Sequence, residues 1–353
     1  AQSYISWIVF MINSAEIDEV DLLVKRARIA QQKFEKNGSQ HLFDLACQAV
    51  GWALMKPEQN QRLAELAVRE TGLGNVPDKI KKNHNKTLGL LRDIKDVKSF
   101  GHVSEDKEKG LSTYLRPKGV VAAIVPSTNP LATPVNNIIN ALKCGNSIIV
   151  APSPKGAQPL KELLALIHEN LSLIGLDKDL VQMVSVPPSK IKTNKLMQLA
   201  DMLVVTGSQN NVKAGYSSGT PALGVGQGNV VTIIDETADV QAAAAKIAIS
   251  KTFDNATSCS SENSVIAIEN IYEKTVKSLS DEGGLLLNED EADRLIDIHW
   301  KNGKMTTDLL AQDIEVIIDK VGLKNRADEN TKFLVLPMNK ASATEVVSGE
   351  KMS

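Results

Sequence analysis

The chain has 353 residues, with 40 basic and 42 acidic side chains and a net charge of −2. This length is enough for about two domains with a substantial buried core, and the composition does not indicate disorder. The balanced charge gives no sign of a nucleic-acid partner, and the five histidines are not spaced as metal ligands, so we expect neither nucleic-acid binding nor a metal site.

The three cysteines Cys47, Cys144 and Cys259 lie far apart and form no CxxC pair. This pattern argues against a disulfide framework or a zinc knuckle and predicts a reducing, cytoplasmic location. The opening SYISWIVFMI is apolar, but it is short, lacks preceding basic residues and leads into the acidic AEIDEVD. We therefore predict no signal peptide or membrane span, and interpret residues 1–12 as a packed or adventitious leader.

The chain changes its pattern near Gly119. From Glu16 to about Leu91, apolar residues at three- and four-residue spacing predict helices. From Gly119 onward, short runs of valine and isoleucine alternate with helical stretches, which predicts βαβ units and a parallel sheet covered on both faces. Such a domain binds nucleotides at the carboxyl ends of its strands. After Lys251 the alternation continues less regularly, with SVIAIE and KFLVLPM as strands and YEKTVKSL as a helix.

Two glycine motifs could serve a nucleotide. In GVGQGN (224–229) the glycines precede the strand VVTIID rather than a helix, so a tight turn is the simpler interpretation. In DMLVVTGS the apolar run ends at Thr206, Gly207 and Ser208 before a helix, where backbone N–H groups suit a phosphate. Turns of this second kind are common in α/β proteins, so phosphate binding and a purely structural turn both stay open as interpretations of DMLVVTGS.

The segments IVPSTNP (124–130) and TFDNATSCSSEN (252–263) could carry chemistry. Asn129 could donate an amide N–H to a developing oxyanion, although asparagine before proline is also a common turn residue. Cys259 has polar neighbours and is a better nucleophile candidate than Cys47, inside an apolar helix, or Cys144. Because no histidine lies near it in sequence, an inert thiol is the alternative. His299 fits no motif and is expected at the surface.

Several long motifs together resemble the aldehyde dehydrogenase superfamily. They are IVPSTNP, VVTGSQNNVKAGYSSGTPALGVGQGN, IDETADV and SKTFDNATSCSSEN, in the family's order and spacing. The resemblance runs from about Glu16 to the end of the chain. It is closest to the CoA-acylating branch, which includes the aldehyde dehydrogenase half of bifunctional alcohol/aldehyde dehydrogenases and the acylating acetaldehyde and sulfoacetaldehyde dehydrogenases.

The resemblance implies a role for each matching residue. Cys259 would attack the aldehyde, and Asn129 with the Cys259 backbone N–H would hold the oxyanion. Hydride would pass to NAD, and coenzyme A as co-substrate would release the acyl group from Cys259. The implied cofactor contacts lie in three segments and at one further position. They are Pro126, Ser127 and Thr128; Thr206, Gly207 and Ser208; Val225 and Gly226; and Ser153. Ala151 replaces a lysine that hydrolytic relatives use on the adenosine ribose, so NADP is also compatible.

One position favours coenzyme A over water as acceptor. Hydrolytic relatives carry a glutamate general base at the site matching Gly224, whereas no carboxylate lies between Gly215 and Ile234 here. Without that base, a thioester on Cys259 would survive until a thiol arrives. Two alternatives stay open: a phosphate acceptor, as in acyl-phosphate-forming semialdehyde dehydrogenases, and a non-catalytic assembly module or truncated inactive form.

The expected fold is α/β and aldehyde dehydrogenase-like. It comprises N-terminal helices (13–115) with a Rossmann-type, parallel-sheet NAD-binding domain (116–235) and a second α/β catalytic domain (236–353). Family members continue for roughly another hundred residues, so we expect this catalytic domain to be C-terminally incomplete at Ser353. A homo-oligomer is expected for the full-length form, with a small-molecule aldehyde and CoA as its other partners and no membrane contact. The sequence does not rank acetaldehyde against sulfoacetaldehyde.

Overall fold

The computed structural model describes residues 2–226, 228–338, 342 and 345–349. The chain divides into two compact units. The first comprises Ala1–Thr71 and Ile80–Gly226, and the second comprises Gly72–Lys79 and Gln227–Ser353. No helix within the described ranges is both long and apolar enough to cross a membrane.

The first unit begins with helices, as the apolar spacing predicts. They are α1 (Gln2–Lys36), α2 (Gln40–Met55), α3 (Pro57–Thr71) and α4 (Val76–Ile94), whose start belongs to the second unit. Helix α1 begins within the predicted leader. The charged sequence after α4 forms an antiparallel hairpin of β1 (Gly101–Asp106) and β2 (Leu111–Leu115), which the sequence analysis did not anticipate.

A parallel sheet follows, which confirms the predicted α/β class. Its strands and helices alternate along the chain: β3 (Val120–Val125), α5 (Ala132–Lys143), β4 (Ser147–Pro152), α6 (Ala157–Leu173), β5 (Val181–Met183), α7 (Lys190–Leu199), β6 (Met202–Thr206), α8 (Gln209–Tyr216) and β7 (Ala222–Val225). The strand order is β5-β4-β3-β6-β7. Every residue of β3 and β4 is buried, which explains their uninterrupted apolar sequence.

Two hydrophobic clusters cover the two faces of this sheet. One contains residues of α2, α5 and α6, with Phe43, Ile138 and Leu163 fully buried. The other contains residues of α1 and α7, with Val20 and Leu196 fully buried. Burying apolar side chains of this size contributes about 1.5–3 kcal/mol each, so these clusters hold the strand ends in fixed positions.

The second unit contains shorter elements. They are β8 (Val230–Ile234), α9 (Val240–Thr252), β9 (Glu262–Ala267), α10 (Tyr272–Asp281), β10 (Gly284–Leu286), α11 (Glu289–His299), β11 (Trp300–Lys301), β12 (Lys304–Met305), α12 (Ile314–Val321) and β13 (Phe333–Val335). Strands β8 and β9 pair in parallel, as do β10 and β13. Strand β8 thus belongs to this unit, although its sequence continues the alternation of the first. The domain limits given by the sequence remain a prediction.

His299 differs from the expectation of a surface histidine. Its side chain is only 1% exposed, and its ring packs edge-on against Trp300 with centroids 4.4 Å apart. This burial could not be predicted from sequence because it depends on tertiary packing at the end of α11, where His299 lies.

Asp201 fastens the amino-terminal ends of β3 and β6. Its Oδ2 accepts hydrogen bonds from the Val120 backbone N–H at 2.7 Å and from Arg28 Nη1 at 2.8 Å, and its Oδ1 accepts from Arg28 Nη2 at 3.1 Å. This carboxylate therefore ties α1 to the edge of the sheet opposite the carboxyl ends of the strands.

Cys47 lies in the core of the first unit. Its Sγ–H donates to the Ile139 carbonyl at 3.3 Å, and burial raises the pKa of the thiol to about 12. Cys144 is exposed, and desolvation of its thiol raises its pKa as well.

We expect Asp201→Ala to lower the free energy of unfolding by about 2 kcal/mol, because it removes charge-assisted hydrogen bonds from the Val120 N–H and Arg28. Asp93→Ala removes an exposed ion pair with Arg92 and should change stability by less than about 0.5 kcal/mol. Urea titration followed by circular dichroism measures both. Equal losses in the two variants would contradict the role of Asp201.

We expect iodoacetamide at pH 8 to leave Cys47 unmodified in the folded protein and to modify it after unfolding in urea. Folding raises the pKa of the Cys47 thiol, so this thiol contributes fully to the free energy of unfolding below the ordinary thiol pKa of about 8.5. The contribution is lost as the pH rises toward 12. Mass spectrometry of the Cys47 peptide gives the result, with the exposed Cys144 as internal control. Equal labelling of both residues in the native protein would contradict the prediction.

Candidate active site

In the parallel sheet of the first unit, the order in which the chain adds strands reverses between β3 and β6. From β3 the chain adds β4 and β5 on one side, and then returns to add β6 and β7 on the other. In open sheets of this kind, ligands bind outside the carboxyl ends of the strands at the point where the order reverses. The loops that follow β3 and β6 therefore flank the expected ligand crevice.

The cofactor residues proposed from sequence all lie at this edge of the sheet. Pro126, Ser127 and Thr128 follow β3, Ser153 follows β4, Thr206, Gly207 and Ser208 end and follow β6, and Val225 and Gly226 end and follow β7. The strands β4, β3, β6 and β7 are adjacent, and the register pairs Thr206 with Val225. The Gly207 N–H also donates to the Val225 carbonyl at 3.1 Å. The structure thus brings these residues to one edge.

Two serines at this edge fit a dinucleotide as hydrogen-bond donors. Ser208 caps α8 by accepting from the Asn211 N–H at 3.4 Å, and Ser153 accepts from the Gly156 N–H at 3.2 Å. In both contacts the hydroxyl oxygen is the acceptor, so the O–H donor is not used. Phosphate and ribose oxygens accept hydrogen bonds, and the α8 N-terminus adds backbone donors and a favourable dipole for a phosphate.

Gly207 leaves room for a ligand at this edge, whereas a Cβ at Gly226 would lie 2.6 Å from Gln209 Oε1. Gly207 has a φ of 151°, and a Cβ placed there would contact only Asn211 Nδ2, at 3.8 Å. Gly226 lies in the GVGQGN segment, of which Gln227 is outside the described residues. At Gly207 the edge therefore combines hydrogen-bond donors with a backbone that a ligand can approach closely.

Asn129 lies in the loop between β3 and α5, and its side chain has a defined orientation. The Lys82 ammonium, on α4, donates to Asn129 Oδ1 at 3.1 Å, and Lys82 itself is only 3% exposed. A lysine ammonium can only donate, so the carboxamide oxygen must be the atom that faces it. The contact with Lys82 uses the carboxamide oxygen, so the Nδ2 amide group is the end of the Asn129 side chain that can donate a hydrogen bond.

The surroundings of Gly224 leave little space for a side chain. A Cβ there would lie 2.7 Å from Val212 Cγ1 and 2.8 Å from the Tyr216 ring. The Gly224 N–H donates to the Tyr216 hydroxyl at 3.0 Å. Val212 is buried, whereas Tyr216 is exposed. Tyr216 and Val212 therefore pack against the position where hydrolytic relatives carry the glutamate.

Cys259 lies in the second unit, in an exposed turn between α9 and β9. The backbone before it is unusual, because Asp254, Asn255 and Ala256 have φ values of 50°, 50° and 56°. Residues other than glycine adopt this left-handed region at a cost of about 1–3 kcal/mol each. A run of such residues persists only where surrounding contacts hold it.

The side chains that support these candidates could not be identified from the sequence motifs. Lys82 lies in KIKKNHNK, a lysine-rich stretch that is typical of a solvent-exposed helix face. Tyr216 gave no signal, since its contact with Gly224 depends on how α8 packs beside β7. Asp254 stands next to Asn255 shortly before Cys259, and that polar pair was the one available hint.

Comparison with known proteins places the chain in a family. Residues 8–298 match the model of the aldehyde dehydrogenase family. A sulfoacetaldehyde dehydrogenase (acylating) from Cupriavidus necator is 48% identical over 339 residues, which are 96% of this chain and 69% of that protein.

Solved structures give the same result. An acetylating aldehyde dehydrogenase from Geobacillus thermoglucosidasius superposes with a TM-score of 0.91 at 35% identity, over 97% of this chain and 75% of that one. A Rhodopseudomonas palustris propionaldehyde dehydrogenase, solved with bound CoA and an acylated cysteine, has a TM-score of 0.80 at 29% identity, over 90% and 72% of the two chains. The chain belongs to the aldehyde dehydrogenase family, on its acylating branch.

Proposed function

We propose that this protein is an NAD-dependent, CoA-acylating aldehyde dehydrogenase, which converts a short aldehyde, CoA and NAD into acyl-CoA and NADH. The observation that carries the proposal is the exposed thiol of Cys259 on its left-handed turn, in a chain whose relatives include acylating dehydrogenases. The propionaldehyde dehydrogenase with bound CoA and an acylated cysteine supports the same chemistry.

Cys259 is the proposed nucleophile. Its thiolate forms a C–S bond to the aldehyde carbon, and the carbonyl oxygen becomes the oxyanion of a thiohemiacetal. The Asn129 side-chain N–H and the Cys259 backbone N–H are the proposed donors to this oxyanion. The contact from Lys82 supports this role of Asn129, because it fixes which end of the carboxamide donates.

The nicotinamide cofactor is proposed to lie at the carboxyl edge of the sheet, against Thr128, Ser208 and the residues near them. NAD bound there would supply the acceptor for the hydride that leaves the carbon attached to Cys259. As the oxyanion returns to a carbonyl, Cys259 is left carrying a thioester. NADP is compatible with the site because Ala151 stands where hydrolytic relatives carry a lysine near the ribose, and Ser153, two residues further along, presents a hydroxyl.

Coenzyme A is proposed to complete the reaction. Its thiolate attacks the thioester carbonyl, the bond to the Cys259 sulfur breaks, and acyl-CoA leaves with the thiolate of Cys259 restored. Hydrolysis competes poorly because no carboxylate lies between Gly215 and Ile234 to activate water. The 48% identity to a sulfoacetaldehyde dehydrogenase makes sulfoacetaldehyde the first aldehyde to test, with acetaldehyde beside it.

We expect Cys259→Ala to lower CoA-dependent NADH formation by about 1,000-fold or more, because the nucleophile is removed. Cys144→Ala is the matched control, since Cys144 is also an exposed cysteine, and its rate should stay within about twofold of wild type. Absorbance at about 340 nm, a general property of reduced nicotinamides, follows turnover of the whole protein.

The acceptor is determined in the same assay with CoA, phosphate or neither. Turnover that requires CoA supports the proposal, and turnover with phosphate would assign the acyl-phosphate chemistry instead. Unchanged turnover of Cys259→Ala, or no turnover of the wild type with any acceptor, would contradict the proposal.

We expect Gly224→Glu alone to give no conversion to an aldehyde hydrolase. The new Cβ would press on Val212 Cγ1, and overpacking of this kind lowers stability by about 1–3 kcal/mol. Val212→Ala combined with Gly224→Glu removes one of the two close contacts and leaves the one with the Tyr216 ring at 2.8 Å. The double variant should therefore recover part of the lost stability and form NADH without CoA above the wild-type background. Thermal unfolding and the assay without CoA measure the two effects. A Gly224→Glu protein as stable as wild type would contradict the steric argument.

A further inference from the structure

A buried carboxylate lies at the start of the Cys259 turn. Asp254 is fully buried, and both of its oxygens accept hydrogen bonds from residues of the second unit. Oδ1 accepts from the Asn75 backbone N–H at 3.0 Å, and Oδ2 accepts from the Thr257 hydroxyl at 2.6 Å and from the Lys79 ammonium at 3.1 Å. A carboxylate removed from water needs this many donors, so its position is strongly determined.

The segment before α4 is shaped to receive this carboxylate. Gly74 has a φ of 71°, and a Cβ there would overlap Asp254 Oδ1, so only glycine allows the approach. The Asp254 backbone N–H donates in turn to Asp78 Oδ2 at 2.9 Å. Lys79 is buried as well, and desolvation lowers its pKa while the neighbouring Asp254 opposes that shift. Lys79 and Asp254 therefore stabilise each other's charge in the interior of the second unit.

The same contacts hold the left-handed backbone that leads to Cys259. Asn255 Nδ2 donates to Asp313 Oδ1 at 2.8 Å, and the Ala256 side chain is buried. The Thr257 N–H donates to the Asp254 carbonyl at 3.1 Å, which closes the turn next to the nucleophile. The unfavourable φ values are thus offset by the hydrogen bonds of Asp254 and Asn255 and by burial of the Ala256 side chain.

We propose that Asp254, held by Lys79, is the positioning residue of the nucleophile. Its carboxylate fixes the left-handed turn, and the turn fixes the place of the Cys259 thiol and backbone N–H. This inference rests on the proposed function, in which both groups of Cys259 act on the aldehyde. Asp254 touches neither substrate nor cofactor in this role and acts through the backbone alone.

The test compares Asp254→Asn with Glu291→Gln in the whole protein. Glu291 is a buried carboxylate of the same unit, paired with Arg326 at 2.8 Å, and has no place in the proposed machinery. We expect Asp254→Asn to lower kcat for acyl-CoA formation about 100-fold, as a small misplacement of reacting groups does. The KM for NAD should stay within about twofold, since the cofactor residues lie in the first unit. Glu291→Gln should lose stability but keep kcat within about twofold.

Hydrogen–deuterium exchange gives a readout that does not depend on turnover. Peptides covering residues 252–263 should exchange faster in Asp254→Asn than in wild type or Glu291→Gln. Thr257→Val removes one donor to Asp254 and is the milder variant, which decides the matter if Asp254→Asn does not fold. We expect it to lower kcat about 10-fold and to raise exchange in the same peptides.

Unchanged kcat and unchanged exchange in Asp254→Asn, or in Thr257→Val where it replaces the first variant, would overturn the inference. Loss of kcat of equal size in Glu291→Gln would do the same, because it would reduce the effect to general stability. Failure of the proposed function has a different signature: Cys259→Ala would retain turnover whatever the exchange data show.

Discussion

A charge removed from water needs a partner, and this requirement fixes many of the contacts in the molecule. Lys79, Lys82, Lys143 and Lys192 are all buried. Each contacts a polar group on a different element of its own unit: Asp254, Asn129, Asp44 and Glu19, respectively. Burying an ammonium without such a partner would be strongly unfavourable, so each contact constrains where its loop or helix can lie. Two of these partners belong to the candidate active site.

The parts of the fold that depend on local pattern could be predicted from sequence. Uninterrupted apolar runs marked β3 and β4 because both faces of those strands are covered, and Thr206 to Ser208 stood where a strand gives way to a helix. The order of the strands, and hence the crevice between β3 and β6, could not be obtained this way. It depends on where the chain turns back, which no single motif records.

The side chains that contact the candidate site residues could not be predicted, for a related reason. In the lysine-rich α4, two of the lysines are buried by partners far away in sequence, and only the tertiary structure distinguishes them from their exposed neighbours. The burial of His299 and the contact of Tyr216 with Gly224 likewise depend on packing between elements. The residues proposed to act on the substrate could be found from sequence because they lie in long motifs. Asp254 and Tyr216 lie in the same motifs, but their supporting contacts could not be found because a motif does not record which side chains meet in the fold.

The separation between Lys79 and Asp254 has a consequence for how the protein folds. Their contact spans 175 positions along the chain, so the turn before Cys259 cannot be held until a very long loop has closed. Contacts of this kind contribute to a high contact order and are slow to form. In a nascent or partly folded chain, Cys259 is therefore not yet preceded by the left-handed turn. If Asp254 positions Cys259 as proposed, the thiol takes up that geometry only after the contact between Lys79 and Asp254 has formed.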